Sequence, residues 1–204
     1  MTFAANNTKR LTANALKESI TAYLASRDPS GIIGSEVMYG SSRRVADMVF
    51  ISNGHSYAIE IKSEFDSTSR LGGQLEEYQT LFDYIIIFAA PNHISRITVT
   101  IPDFVGLYSI NELGIQKLRR EKINRRVQKS EMLISIPSAA VKNDFSVKGK
   151  LSSDEIRSAV LRKSLKDIHS YFITYFKVKL EGSTMRMKKE IPKRIETFED
   201  YVII

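Results

Sequence analysis

Residues 44–78 read RVADMVFISNGHSYAIEIKSEFDSTSRLGGQLEEY, and their pattern decides the fold. Arg44 to Ile51 is apolar and partly β-branched, and Ser56 to Lys62 alternates like a half-buried strand. Between them, Ser52-Asn53-Gly54-His55 carries the Asn-Gly pair of a tight hairpin turn, because both residues tolerate positive φ. The expected unit is an antiparallel hairpin. Asp47 sits in its first strand, while Glu60 and Lys62, two residues apart, share one face of the second. The simplest register puts Asp47 near Glu60, so that two carboxylates and a lysine converge at one end of a sheet.

Charges in that position call for a physical reason. Asp and Glu are depleted in strands and costly to bury unless paired or bound to a metal. Two carboxylates with nearby carbonyls suit a hard cation such as Mg²⁺. The alternative is a Glu60–Lys62 pair on an exposed face, which contributes little. The next segment bears on the choice. Asp66, Ser67, Thr68 and Ser69 offer N-caps. Leu71, Leu75, Tyr78 and Phe82 then form one helical face, with Gln74 at its border one turn before Tyr78. Gly72 and Gly73 leave space for a sheet edge or a ligand backbone. Tyr84 to Ala90 is a continuous apolar run, expected as a buried parallel strand.

Asp47, then Glu60-Ile61-Lys62, then Gln74-x-x-x-Tyr78 resembles the active-site signature of the PD-(D/E)XK, or restriction-endonuclease-like, nuclease superfamily. The Gln-x-x-x-Tyr part is similar to its RecB-type branch, and EIKSEFDSTSRLGGQLEEY also resembles a small bacterial and prophage family of that fold. The resemblance spans roughly residues 11–120, with Ala46 where the motif name has Pro. It implies an α/β core of helix, three-stranded antiparallel meander, helix and parallel strand, followed by a C-terminal helical extension. It further implies Mg²⁺ or Mn²⁺ held by Asp47, Glu60, the carbonyl of Ile61 and Glu36. Lys62 would position or activate the attacking water, and Gln74 would orient Lys62 or that water. Glu36 is equally readable as an ordinary edge-strand glutamate.

Outward from that core, Leu11 to Ser26 reads as an amphipathic helix with Leu16, Ile20, Tyr23 and Leu24 on one face. Ile32 to Tyr39 is the expected first strand. After Pro91, residues 92–100 are ambiguous, and Val105 to Ile110 reads as the last strand. Residues 131–151 carry no clear pattern. Ser152-Ser153-Asp154-Glu155 is a capping box opening a helix with Leu161, Leu165, Ile168 and Phe172 on one face. The expected division is a nuclease-like core over 1–120 and a basic, mainly helical extension over 121–204, packed on or beside it. The apolar end, Phe198 to Ile204, suits docking or a dimer contact.

The formal charge is +7, unevenly spread: residues 1–116 hold 9 Lys/Arg and 12 Asp/Glu, and residues 117–204 hold 21 and 11. An acidic catalytic half joined to a basic half suits a polyanionic substrate, and the expected partner is DNA. Arg43, Arg44, Arg70, Tyr78, Arg119, Arg120, Arg125 and Arg126 are the candidate contacts, the last four within KLRREKINRRVQK (117–129). That stretch either tracks a phosphate backbone or forms a solvated charged helix. Arg70 is equally available to pair with Glu64 or Asp66. The absence of cysteine removes disulfides and thiolate metal sites. The opening residues lack an apolar leader and no run reaches a membrane span of about 18 residues, so a cytoplasmic protein is expected. His55, His93 and His169 stand apart in the sequence without metal-ligand spacing, and neither a P-loop nor G-x-S-x-G occurs. Two other readings remain: a non-cleaving nucleic-acid or protein-interaction module on the same fold, and a mobile-element protein that targets a host enzyme. A homodimer and a protein partner or activator are open in each.

Overall fold

The computed structural model describes residues 12–189. Thr12 caps the first helix, α1 (Ala13–Arg27), by accepting from the Ala15 N–H. The chain then forms β1 (Ile32–Tyr39), β2 (Arg44–Ser52) and β3 (His55–Lys62), helix α2 (Leu71–Leu81), β4 (Tyr84–Ala89), helix α3 (Pro91–Thr100), β5 (Gly106–Asn111) and β6 (Gly114–Arg119). Four helices follow: α4 (Lys129–Ile134), α5 (Ser138–Asp144), α6 (Ser153–Val160) and α7 (Leu165–Lys189).

The six strands make one mixed sheet in sequence order, so the fold is α/β. Strands β1, β2 and β3 form an antiparallel meander, β4 and β5 run parallel to β3, and β6 returns antiparallel to β5. The β2–β3 turn is the one expected. Ser52 pairs with His55, and Asn53 and Gly54 take φ of 50° and 77° between them.

Alternation along the strands divides the core into two layers. Leu16, Ile20 and Leu24 of α1 pack with Ile33, Met48, Phe50, Ile59, Phe88 and Tyr108 on one face. On the other, α2 and α4–α7 cover Val49, Ala58, Ile85, Ile87 and Leu107, with Phe172 and Phe176 of α7 fully buried. Glu60 and Lys62 share the parity of Ala58 and therefore lie on the α2 face.

Three expectations need correction. Val105 to Ile110 is not the last strand, because β6 follows it as an exposed edge. Residues 117–128 are not helical. They finish β6 and then run extended, with Lys122, Asn124 and Gln128 N–H groups donating to the carbonyls of Phe104, Asp83 and Thr80. The capping box at Ser152 is formed as read, but its helix stops at Val160. A new helix starts at Leu165, with the Asp167 N–H donating to the Ser164 hydroxyl. Among the ambiguous stretches, Pro91 begins a helix at its first position rather than breaking the chain. The apolar end at 198–204 lies outside the described residues.

Candidate active site

The end of β3 lies where β2 and β3 part. Their last paired positions are Met48 and Ile59, and the next two residues are Asp47 and Glu60. The Asp47 carboxylate enters the gap, its Oδ2 accepting the Ile61 N–H at 2.8 Å. A side chain thus satisfies a strand N–H that the ladder leaves over.

Glu60 is only 1% exposed, and both its oxygens have partners. Oε1 accepts from Lys62 Nζ at 2.8 Å, and Oε2 accepts from the Tyr78 hydroxyl at 2.6 Å. Lys62 also donates to Gln74 Oε1 at 3.2 Å. Gln74 and Tyr78 are one helical turn apart on α2, so both reach the β3 end from above. The segment after Lys62 is tied down. Ala90 N–H donates to the Lys62 carbonyl, Asn92 Nδ2 donates to the Glu64 carbonyl, and His93 Nε2 bonds to the Ser63 carbonyl. Burial, and next the Glu60 charge, push the Asp47 carboxyl up to about 6, against the Ile61 N–H and Lys62, which pull it down. Burial and the adjacent Glu60 raise the Tyr78 hydroxyl well above the ordinary phenol range, keeping it a hydrogen-bond donor.

The donor set suits a hard cation. Asp47, Glu60 and the Ile61 carbonyl offer oxygen only, and a cation would relieve the repulsion that raises Asp47. Mg²⁺ commonly takes one or two carboxylates and keeps several waters. Carboxylate oxygens carry more lone pairs than Lys62 and Tyr78 use. Among the described residues, no group of three or more His, Cys, Asp or Glu is placed to hold a metal.

The structure therefore brings Asp47, Glu60, Ile61, Lys62, Gln74 and Tyr78 together. Glu36 does not join them. It takes φ of 54°, its carboxylate is ion-paired with Lys17 of α1, and its side chain is 63% exposed. Tyr78 requires correction as a nucleic-acid contact, because it is fully buried and its hydroxyl is committed to Glu60. Arg43 and Arg70 are exposed near this end of the sheet, and Arg44 pairs with Glu77 at 3.0 Å. Arg119 donates to the carbonyls of Val105 and Pro102. Arg126 donates to Gln79 and lies over the Phe104 ring. Arg125 is exposed, and Arg120 lines a cavity reached from the α1 face.

Sequence spacing misses a second buried polar group at the start of β4. Asp83 accepts from the N–H and hydroxyl of Ser56, and both its oxygens bond to His169 Nε2, at 3.0 and 2.8 Å. His55 Nδ1 is 3.8 Å from it. Against burial, which raises it, His169 and Ser56 hold the Asp83 carboxyl below its ordinary value; in return Asp83 raises His169. Two of the three histidines, His55 and His169, thus lie beside a buried carboxylate. Strand β3 and helix α7 supply this group from distant parts of the chain, so no local motif marks it.

The profile of a family described as bacteriophage P4 protein cII matches residues 6–200. Protein cII of Enterobacteria phage P4 is 29% identical over an alignment of 155 residues, and the match covers 72% of this chain and 58% of the phage protein. The chain thus spans little more than half the length of that curated relative. Among solved structures, SPO1766, a protein of unknown function from Silicibacter pomeroyi, is 14% identical at a TM-score of 0.45. That similarity covers 74% of this chain and 100% of the other.

Proposed function

We propose that this chain, which belongs to the bacteriophage P4 protein cII family, is a Mg²⁺-dependent deoxyribonuclease with a restriction-endonuclease-like core. It would act in the cytoplasm as part of a mobile element. The observation that carries the reading is the meeting of Asp47, Glu60, Lys62 and Gln74 at one strand end, with the Tyr78 hydroxyl of α2 donating to Glu60. The order helix, antiparallel meander, helix, parallel strand also supports it.

In this reading Asp47, Glu60 and the Ile61 carbonyl would hold the ion. When bound, Mg²⁺ would polarise the phosphodiester and ease deprotonation of a water. The chain's own groups do the positioning. An ammonium has three donors; Lys62 uses two on Glu60 and Gln74, which leaves one for a water or a phosphate oxygen. Gln74 fixes the direction of that third donor. Arg43 and Arg70 are exposed nearby, where a guanidinium can take a phosphate in a bidentate grip.

The test is cleavage of labelled linear, single-stranded, branched and plasmid DNA with Mg²⁺ or Mn²⁺. Glu60→Gln, Asp47→Asn and Lys62→Ala should each lower the rate by at least about a hundredfold, as expected when a positioned catalytic group is lost. Equal cutting by parent and variants would sink the proposal. One observation favours a second reading, that of a non-cleaving DNA- or protein-binding module. Among the described residues only two carboxylates meet at the site, because Glu36 is engaged by Lys17. Metal-independent DNA binding without cutting would select it.

A further inference from the structure

On the other face of the sheet from Glu60, a polar cavity of about 290 Å³ is lined by Tyr23, Arg27, Tyr108, Lys117, Arg120 and Glu121. Its wall is built with some care. Glu121 is almost wholly buried, its side chain 3% exposed, and it is ion-paired with Arg27 at the end of α1. Its other oxygen accepts from the Tyr108 hydroxyl at 2.8 Å, and Tyr108 is itself 1% exposed. Gly106 makes this possible. A Cβ there would sit 3.0 Å from the Glu121 Cβ and 3.1 Å from its backbone nitrogen. On its other side the Arg27 guanidinium lies over the Tyr57 ring, 5.3 Å from the centroid.

An exposed surface pair needs none of this, and it contributes little stability. Burying a carboxylate to fix one guanidinium is costly unless its partners are well placed. Here the expense sets a planar, rigid fork at the edge of a cavity. Two further cations share the lining. The side chains of Lys117 and Arg120 make no ion pair or hydrogen bond among the described residues. Three cations therefore face one carboxylate, an excess of two positive charges. The lining is polar and the space small, which disfavours an apolar ligand and excludes a duplex.

We propose that this cavity binds a phosphate monoester dianion. The guanidinium of Arg27 would supply fixed donors, and Lys117 and Arg120 would close on the remaining oxygens. A monoester carries the two charges that the lining leaves unmatched, whereas a backbone phosphodiester carries one. The group has two sources: a free nucleoside monophosphate, or the 5′-phosphorylated end of a nucleic acid strand. Nothing in this inference depends on the nuclease reading.

The experiment is isothermal titration of the full chain in EDTA, which keeps divalent metal from the Asp47–Glu60 site. The titrants are inorganic phosphate, AMP, and one short single-stranded oligonucleotide with either a 5′-phosphate or a 5′-hydroxyl. The expected result is binding of phosphate and AMP that weakens at least about tenfold in the Lys117→Ser/Arg120→Ser double variant. Both positions are exposed, and circular dichroism checks that the fold is kept. Arg27→Lys keeps a cation for Glu121 but loses the fork, and it should also weaken binding. Tighter binding of the 5′-phosphorylated strand than of its hydroxyl twin, lost in the double variant, identifies strand ends as the source; preference for AMP identifies a nucleotide. Either outcome supports the proposal. It is overturned if phosphate and AMP do not bind at millimolar concentration, if the double variant binds them as the parent does, or if the two strands bind equally and AMP does not bind.

Discussion

Tyr78 shows how much one hydroxyl carries. Its ring belongs to the core, packed 5.3 Å from Tyr39 and 5.8 Å from Phe82 between centroids. Its oxygen meets a carboxylate that is nearly sealed from water. Tyr78→Phe leaves the packing but removes a donor to a buried charge, and a hydrogen bond of that kind contributes about 2 kcal/mol. Urea unfolding of the variant should show a loss of that order. An unchanged midpoint would mean that water replaces the hydroxyl. Asp83 and His169 give a second residue-scale expectation. Asp83 is lowered from 3.8, so its contribution is present above that pH and disappears as pH falls through the lower folded value. His169 is raised from 6.5, so its contribution is complete below that pH and fades as pH rises through the higher folded value. The stability gap between the parent and His169→Gln should therefore be widest between the ordinary values of the two groups, 3.8 and 6.5, and narrow as pH rises above 6.5. A gap independent of pH would show that the pair acts without charge. Asp47, Glu60 and Lys62 were legible in the sequence because a period of two puts charges on a known face. The Asp83–His169 contact was not, since 86 residues separate its partners.

At the scale of elements, periodicity reports burial, and it fails where burial is absent. Strands β2, β3 and β4 were legible since at least one face of each is covered. Strand β6 was not. Its residues Gln116, Lys117 and Leu118 are exposed, so an edge strand with a charged sequence resembles a solvated helix. The single helix expected after Ser152 failed for the opposite reason. Leu161, Leu165, Ile168 and Phe172 keep a helical period straight across the break between α6 and α7, while Ser164 restarts the chain with its own cap. Charge signals fared unevenly as well. Arg119 and Arg126 read as phosphate contacts, yet their guanidinium groups hold carbonyls and Gln79. Capping signals need no tertiary context, and the box at Ser152 formed as read. Ser152→Ala should cost about 1 kcal/mol, measured by thermal or urea unfolding. No change at all would mean that α6 is held by packing alone, through Ile156 and Val160.

Across the whole molecule, the last described helix completes the first strand. Thr184 of α7 accepts the Ile33 N–H at 2.8 Å, Leu180 lies against Gly34, and Lys188 donates to the Pro29 and Gly31 carbonyls. With Phe172 and Phe176 buried on the same face, α7 is part of what covers the sheet. A chain ending at Lys163 should therefore lose cooperative unfolding, as followed by circular dichroism in urea; a sharp transition like the parent's would make α7 dispensable. None of the helices among the described residues is long and apolar enough to cross a membrane. The strict order of the strands has a consequence for synthesis. As the chain leaves the ribosome, each strand finds its neighbour already waiting, and the six can assemble in the order they are made. The surface that α7 will cover stays bare until translation has passed Lys189. A nascent chain stalled before α7 has emerged should thus be a chaperone client with a finished sheet and an open flank, and a stop codon just ahead of α7 should be nearly as damaging as one within the sheet.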